Sequence, residues 1–187
     1  MIKAILTDFD NTLFDTRQVK PNWEEGKPDW KAIFARIPEC TLYEGWKETI
    51  TDLKGMPLGI VSRNFKGLIY RVLGYNELHH TFNPVIDRYG TGKAPNALPK
   101  TELFALAMQH EGFKELKRSE IIYLGDEATD IVQANQFGFL SGACLWGTSQ
   151  PKTLLAATPT FTLDSPSDLM NILRFSAEGR PPYPLFN

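Results

Sequence analysis

Short apolar runs alternate with longer segments of helical period, and that alternation constrains this chain more than any other feature. Runs rich in Ile, Leu and Val at Ile2–Leu6, Leu58–Val61 and Glu120–Leu124 predict buried strands, with a weaker one at Pro84–Ile86. Phe139–Trp146 and an edge candidate at Thr160–Leu163 follow. Between them, helices are expected over Gly45–Leu53, Lys66–Leu73, Lys100–His110, Ala128–Phe137, Pro151–Ala156 and Ser167–Leu173. Lys100–His110 has the clearest pattern, with Leu103, Leu106, Ala107 and His110 on one stripe and Gly112 as a stop. Parallel strands need long crossovers between them, so this order implies a mostly parallel sheet covered by helices on both faces. The expected fold class is α/β, in three α/β/α layers.

Two stretches break the rhythm. Residues 17–43 are rich in Pro, Trp and charge, with one short helix expected around Trp30–Arg36; they read as a small insertion or flap. The loop 87–99 carries two Gly and two Pro and is expected to be irregular, and the proline-rich tail 175–187 to pack along the surface. A length of 187 residues suits one domain with a small insertion. A chain of that size buries about 70% of its unfolded surface and needs no staple. Accordingly Cys40 and Cys144 are too few for a disulfide framework and read as small buried hydrophobes in a reducing compartment. Lys and Arg number 20 against 22 Asp and Glu, a net charge of −2, so no basic excess points to nucleic acid. The apolar stretch before Asp8 is too short for a signal peptide. The longest mostly apolar run, 137–147, falls short of the roughly 18–20 residues of a membrane span. The expected location is cytoplasmic, without a membrane partner, and no motif specifies an oligomeric state.

The chemistry concentrates in two acidic runs. In TDFDNTL, Asp8 and Asp10 directly follow a strand at i, i+2, a spacing that puts extended side chains on one side of the chain. At the carboxyl end of a parallel strand they would face the crevice where ligands bind. In YLGDEATDI, Asp126 follows another strand and Asp130 comes about one helical turn later. Each pair alone is equally what turns and helix caps look like, with Asp8 and Asn11 in a turn, Asp10 or Asp126 as an N-cap and Glu127 in a first turn. Together they say more. Carboxylates converging at one sheet end cannot all ionise without a cation to offset them. Mg²⁺ suits oxygen ligands, and it characteristically takes one or two carboxylates, waters and a substrate phosphate.

On these residues the chain resembles the haloacid-dehalogenase-like (HAD-like) phosphohydrolase superfamily, over residues 1–16 and about 44–174. The family's first motif stands here as Asp8-Phe9-Asp10-Asn11-Thr12, its second as Ser62 in GIVSRN, its fourth as GDEATDI. The ending LWGTSQPKTLLAATPTFTLDSPSDL is similar to that of phosphoglycolate-phosphatase-like members. For the third motif, a Lys before a helix, both Lys93 and Lys100 qualify; the family's spacing to a later Gly selects Lys100, twelve residues before Gly112. The resemblance implies a Rossmann-like core at 1–16 and 44–174, a cap-like insertion at 17–43 and a tail at 175–187.

It further implies a phosphatase in which Asp8 attacks phosphorus and Asp10 serves as acid and then base. Ser62 would hold a phosphoryl oxygen and Lys100 would offset charge. Asp8, the Asp10 carbonyl and Asp126 would hold Mg²⁺, with Asp130 nearby. Thr12, Arg63 and Asn64 are expected against substrate, Asn64 being equally suited to cap the next helix. With so short an insertion, the substrate is a phosphorylated small molecule or an exposed phosphoester on a larger one. Trp23, Trp30 and Phe34 would form a partial lid or, equally, anchor the flap to the core. His79-His80 reads as a surface helix end and His110 as a packed or boundary residue. The alternative is the same fold kept as a catalytically silent binding or regulatory protein.

Overall fold

In the computed structural model, residues 1–19, 29–90 and 98–179 are described; Trp23, Lys93 and the end of the tail lie outside them. Six parallel strands form the central sheet: β1 (Ala4–Thr7), β4 (Leu58–Val61), β5 (Val85–Ile86), β6 (Ile121–Gly125), β7 (Leu140–Cys144) and β8 (Phe161–Leu163). Their order is β5-β4-β1-β6-β7-β8. β1 pairs with β4 through Ile5↔Leu58 to Thr7↔Ile60, and with β6 through Ala4↔Ile121 to Thr7↔Leu124. The chain reverses its direction of travel across the sheet beside β1, which makes the carboxyl ends of β1, β4 and β6 the natural ligand crevice.

Residues of one strand alternate between two cores, as the pleat requires. Ile5, Ile60, Ile122 and Leu124 pack with α2 (Trp46–Asp52), α3 (Lys66–Tyr75) and α7 (Asp168–Ala177) on one face. Leu6, Val61 and Tyr123 pack on the other face with α4 (Lys100–Ala107) and Ala134 of α5 (Ala128–Phe137). Ile131 and Ala143 meet Leu154 of α6 (Pro151–Ala156) on that side. The expected three-layer α/β/α arrangement is present. Cys40 and Cys144 are buried free thiols, and among the described residues no helix is long and apolar enough to cross a membrane.

Several local expectations change. The stretch after β1 holds an antiparallel ribbon of β2 (Phe14–Asp15) and β3 (Thr41–Leu42), with α1 (Trp30–Ala35) and a 3₁₀ turn at Ile37–Glu39 between them. Asp29 caps α1 by accepting from Lys31 N and Ala32 N. Helix α4 ends at Ala107 rather than His110. Its last donors tighten into i, i+3 bonds (Gln109 N to Leu106 O, His110 N to Ala107 O), and Phe104 joins Leu103 and Ala107 on the buried side. His110 is therefore exposed instead of packed, and His79 and His80 lie in exposed turns beyond α3. Helix α7 runs to Ala177, into the predicted tail, where Ser176 Oγ accepts from Ile2 N at 2.8 Å.

Candidate active site

β1 delivers Asp8 to the crevice. Its N–H donates to Leu124 O at 2.8 Å, so the β1–β6 ladder holds the residue one step past the strand. The buried carboxylate accepts from Phe9 N at 2.7 Å through Oδ1 and from Lys100 Nζ at 2.8 Å through Oδ2. Lys100 opens α4 and is 2% exposed. Its ammonium also meets Asp130 Oδ2 at 2.5 Å and lies 5.2 Å from the centre of the Tyr123 ring. One buried cation thus bridges two carboxylates carried by β1 and α5.

Asp126 leaves the end of β6. Its Oδ1 accepts from Thr12 Oγ1 at 3.2 Å, and its Oδ2 from Thr148 N and Oγ1 at 2.9 Å each. Such close packing needs glycine at 147, where a Cβ would sit 2.1 Å from Asp126 Cβ, and at 125, where one would sit 2.8 Å from Asp130 Oδ2. Asp126 does not cap α5, whose N-cap is Glu127 with no side-chain bond. Nor does it share partners with Asp130, which turns to Lys100 and Tyr123 instead. Among the described residues, no cationic side chain pairs with Asp126.

Among the described residues, Asp10 caps no helix. Its Oδ1 accepts from Thr16 Oγ1 at 2.6 Å, and both oxygens accept from Asn64 Nδ2 at 2.9 Å. Asn64 reaches there because it leaves β4 just after Ser62, whose Oγ accepts from Asn64 N at 3.2 Å. Capping of α3 falls instead to Asp87, which accepts from Lys66 N at 3.2 Å. Directly after the motif aspartates, Asn11 takes a left-handed φ of 56°, which Asn tolerates better than most residues. Asp8, Asp10, Asn11, Ser62, Arg63, Asn64, Arg88 and Glu127 line one cleft of about 270 Å³.

Electrostatics follows from the burial and from the deficit of positive charge. Burial alone would raise the Asp8 carboxyl, but Lys100 and the Phe9 N–H hold it below its ordinary value. Burial would likewise strip the Lys100 proton, but Asp130 and Asp8 keep the ammonium above its ordinary value. Asp126 is pushed up by burial and by the Asp8 charge, despite the bonds from Thr148. Asp130 is pushed up to about 8 by burial and by Asp8, against the pull of Lys100.

Residues 17–143 match the profile of the haloacid dehalogenase-like hydrolases. The chain belongs to that family. It is 29% identical over 136 residues to a phosphoglycolate phosphatase of Synechococcus elongatus, covering 72% of this chain and 60% of that one. It is 31% identical over 134 residues to the pyrophosphatase PpaX of Listeria welshimeri, covering 71% and 59%. The chain therefore spans about 60% of the length of these curated relatives. Among solved structures, a haloacid dehalogenase-like protein of unknown function from Agrobacterium tumefaciens aligns with a TM-score of 0.76 at 16% identity, covering 95% of this chain and 100% of that one. A putative phosphatase from Clostridium difficile aligns with a TM-score of 0.74 at 20% identity, covering 92% and 98%. At such identities these two show the shared fold.

In this family member, the cleft gathers Asp8, Asp10, Ser62, Arg63 and Asn64, while Lys100, Asp130, Asp126 and Thr12 stand beside Asp8 as buried support. Arg63 pairs with Glu127 at 3.3 Å. A hard cation fits this donor set. The candidate ligands are all oxygens, Asp126 is a buried carboxylate with no cationic partner, and Asp130 Oδ1 is buried without a hydrogen bond. Among the described residues, no three His, Cys, Asp or Glu side chains form a ready-made cage, and an ion that retains several waters needs none.

The sequence reading passed over Thr16, Thr148, Arg88 and the indoles of Trp46 and Trp146, both of which donate to Thr12 O at 2.9 Å. Thr148 had a faint signal, as a hydroxyl just past the strand after GDEATD. Thr16, six residues past the Asp10 it bonds, carried no pattern, and the others had none because each partner is distant in sequence or is a main-chain atom. Of the residues expected as a lid or an anchor, Trp30 packs edge-on to Phe65, the residue following Asn64, at 4.9 Å and against Phe34 at 5.5 Å, and Trp30 and Phe34 both pack against the core.

Proposed function

We propose that this chain hydrolyses a phosphomonoester through an aspartyl-phosphate on Asp8, with Mg²⁺ as cofactor. The observation that carries the reading is the buried Asp8 carboxylate, kept ionised by Lys100 at the base of a polar cleft. An Asp8 oxygen attacks phosphorus as the bond to the leaving oxygen breaks, and Asp10 supplies that oxygen with a proton. Asp10 then takes a proton from water attacking the acyl phosphate, and inorganic phosphate leaves with Asp8 restored. Asn64 and Thr16 hold Asp10 in place for both transfers, and Ser62 supplies a hydroxyl to a phosphoryl oxygen. The residues that would hold Mg²⁺ are Asp8, the Asp10 carbonyl and Asp126, with Asp130 nearby; when bound, the ion offsets charge on the carboxylates and the phosphoryl group. The names of the relatives favour small phosphorylated substrates, and the size of the cleft agrees with them.

The test uses p-nitrophenyl phosphate with Mg²⁺ or EDTA, on the wild type, Asp8→Asn and Asp10→Asn. Mass spectrometry after acid quench follows the peptide that contains Asp8. Turnover that needs both aspartates, with phosphate trapped on that peptide, is the expected result. Absence of turnover on a panel of sugar phosphates, nucleotides, phosphoglycolate, pyrophosphate and phosphopeptides would leave the silent binding protein instead.

A further inference from the structure

Arg88 is the cation of the cleft that the proposed reaction leaves without work. It follows β5, two strands away from β1, and its main chain is fixed on both sides by Arg88 N to Asn64 O at 3.2 Å and Leu98 N to Arg88 O at 2.9 Å. Its guanidinium lies 4.7 Å from the centre of the Phe65 ring and 5.4 Å from that of Tyr89, so the side chain is braced on aromatic surface. The Nε is buried and has no hydrogen-bond partner. The other arginine of the cleft, Arg63, is paired with Glu127. Among the described residues, Arg88 has no ion pair.

A planar guanidinium braced on rings, lining an anion-binding cleft with a desolvated and unused donor, is preorganised for a bidentate acceptor. Its position decides which acceptor. Neighbouring strands stand about 4.8 Å apart, so the Arg88 backbone is roughly 10 Å across the sheet from the strand that carries Asp8. Ser62 and Asn64, just past the end of β4, stand between them. The phosphoryl group undergoing transfer sits over Asp8, so Arg88 faces the far end of the substrate.

We infer that Arg88 is a specificity-determining residue, which pairs with a second anionic group (a carboxylate or a second phosphate) on the leaving-group side of a small phosphorylated substrate. The inference rests on the phosphatase reading, and the cleft, near the small end of ligand pockets, sets the size limit. Short substrates with two anionic ends are the ones it can hold at both.

The test compares 2-phosphoglycolate and pyrophosphate with ethyl phosphate, which has no second anion. Arg88→Met keeps the apolar stem on Phe65, and Arg88→Lys keeps the charge without the fork. For Arg88→Met, the ratio of kcat/KM for the two-anion substrates to that for ethyl phosphate falls on the order of 10–100-fold, mainly through KM. Arg88→Lys recovers part of it. Whichever of phosphoglycolate and pyrophosphate suffers more identifies the second anion. An unchanged ratio, whether every substrate is impaired alike or none is, overturns the inference. Calorimetric binding of the same three compounds to Asp8→Asn, with and without Arg88→Met, gives a readout independent of turnover. If the wild type hydrolyses nothing but the binding ratio still falls, the phosphatase reading fails and the anion site stands.

Discussion

Replacing Lys100 by Met puts the charge arrangement of the site to a direct test. The variant retains a similar apolar stem but leaves Asp8 and Asp130, both buried, facing each other without a cation. Removing one partner of a buried ion pair costs about 3–5 kcal/mol when the remaining charge cannot be relieved. Here protons can relieve it, so the loss depends on pH. Without the ammonium, burial raises the folded pKa of Asp8 above its unfolded value, where Lys100 had depressed it. The native state then binds more protons than the unfolded one, and stability falls as pH rises through that interval. One proton contributes about 1.4 kcal/mol per pH unit, so the gap between variant and wild type widens by up to about 4 kcal/mol from pH 5 to pH 8.

The wild type has a falling slope of its own between pH 4 and 8, because Asp130 is already raised to about 8. The prediction therefore concerns the difference between the two proteins. Urea denaturation in EDTA at pH 5, 6.5 and 8, with m-values compared, measures it. A difference that stays constant with pH would mean that Lys100 contributes packing rather than charge, and the account of Asp8 as a lysine-held carboxylate would fall.

Gly147→Ala places a Cβ against Asp126, at 2.1 Å from its Cβ; an overpacking loss of about 1–3 kcal/mol is expected in a thermal melt, and a melt unchanged from wild type refutes the close approach. Mg²⁺ at about 100 times its Kd stabilises the wild type by about 2.7 kcal/mol over EDTA, whereas Asp126→Asn shows little of that gain; equal gains in calorimetry would remove Asp126 from the ion's ligands. Trp46→Phe and Trp146→Phe each leave Thr12 O with one indole donor, so each costs about 1 kcal/mol. The double variant orphans the carbonyl and costs more than the sum, and additivity within about 0.5 kcal/mol would show that the shared acceptor does not couple them.

What the sequence disclosed follows from range. A buried parallel strand is an apolar run bounded by turn residues, so β1, β4, β6 and β7 were visible to within two residues, and the helices that cross between them to within three. The ribbon of Phe14–Asp15 with Thr41–Leu42 was not, because two-residue strands far apart in the sequence carry no period. His110 was misplaced because a period of 3.6 was carried past the point where α4 tightens at Ala107. Lys100 was chosen over Lys93 by its spacing from Gly112, and its ammonium does reach Asp8. The capping alternative for Asp126 does not hold, because its bonds come from Thr12 and Thr148, a long way off in the chain.

The site depends on β1 lying between β4 and β6 rather than on any one loop. That order lets three short segments, 8–12, 62–64 and 125–130, open at one end of the sheet with no long loop to close. Each segment then holds another: Asn64 fixes Asp10, Thr12 fixes Asp126, and the β1–β6 ladder fixes Asp8. Lys100 and Thr148 add the two outer contacts. The proposed chemistry thus stands on cross-braced residues, while Arg63 and Arg88 form the rim of the cleft, with the rings of Phe65 and Tyr89 against Arg88. A rim of that kind can change its substrate without disturbing Asp8, because none of those side chains bonds to the carboxylates of Asp8, Asp126 or Asp130.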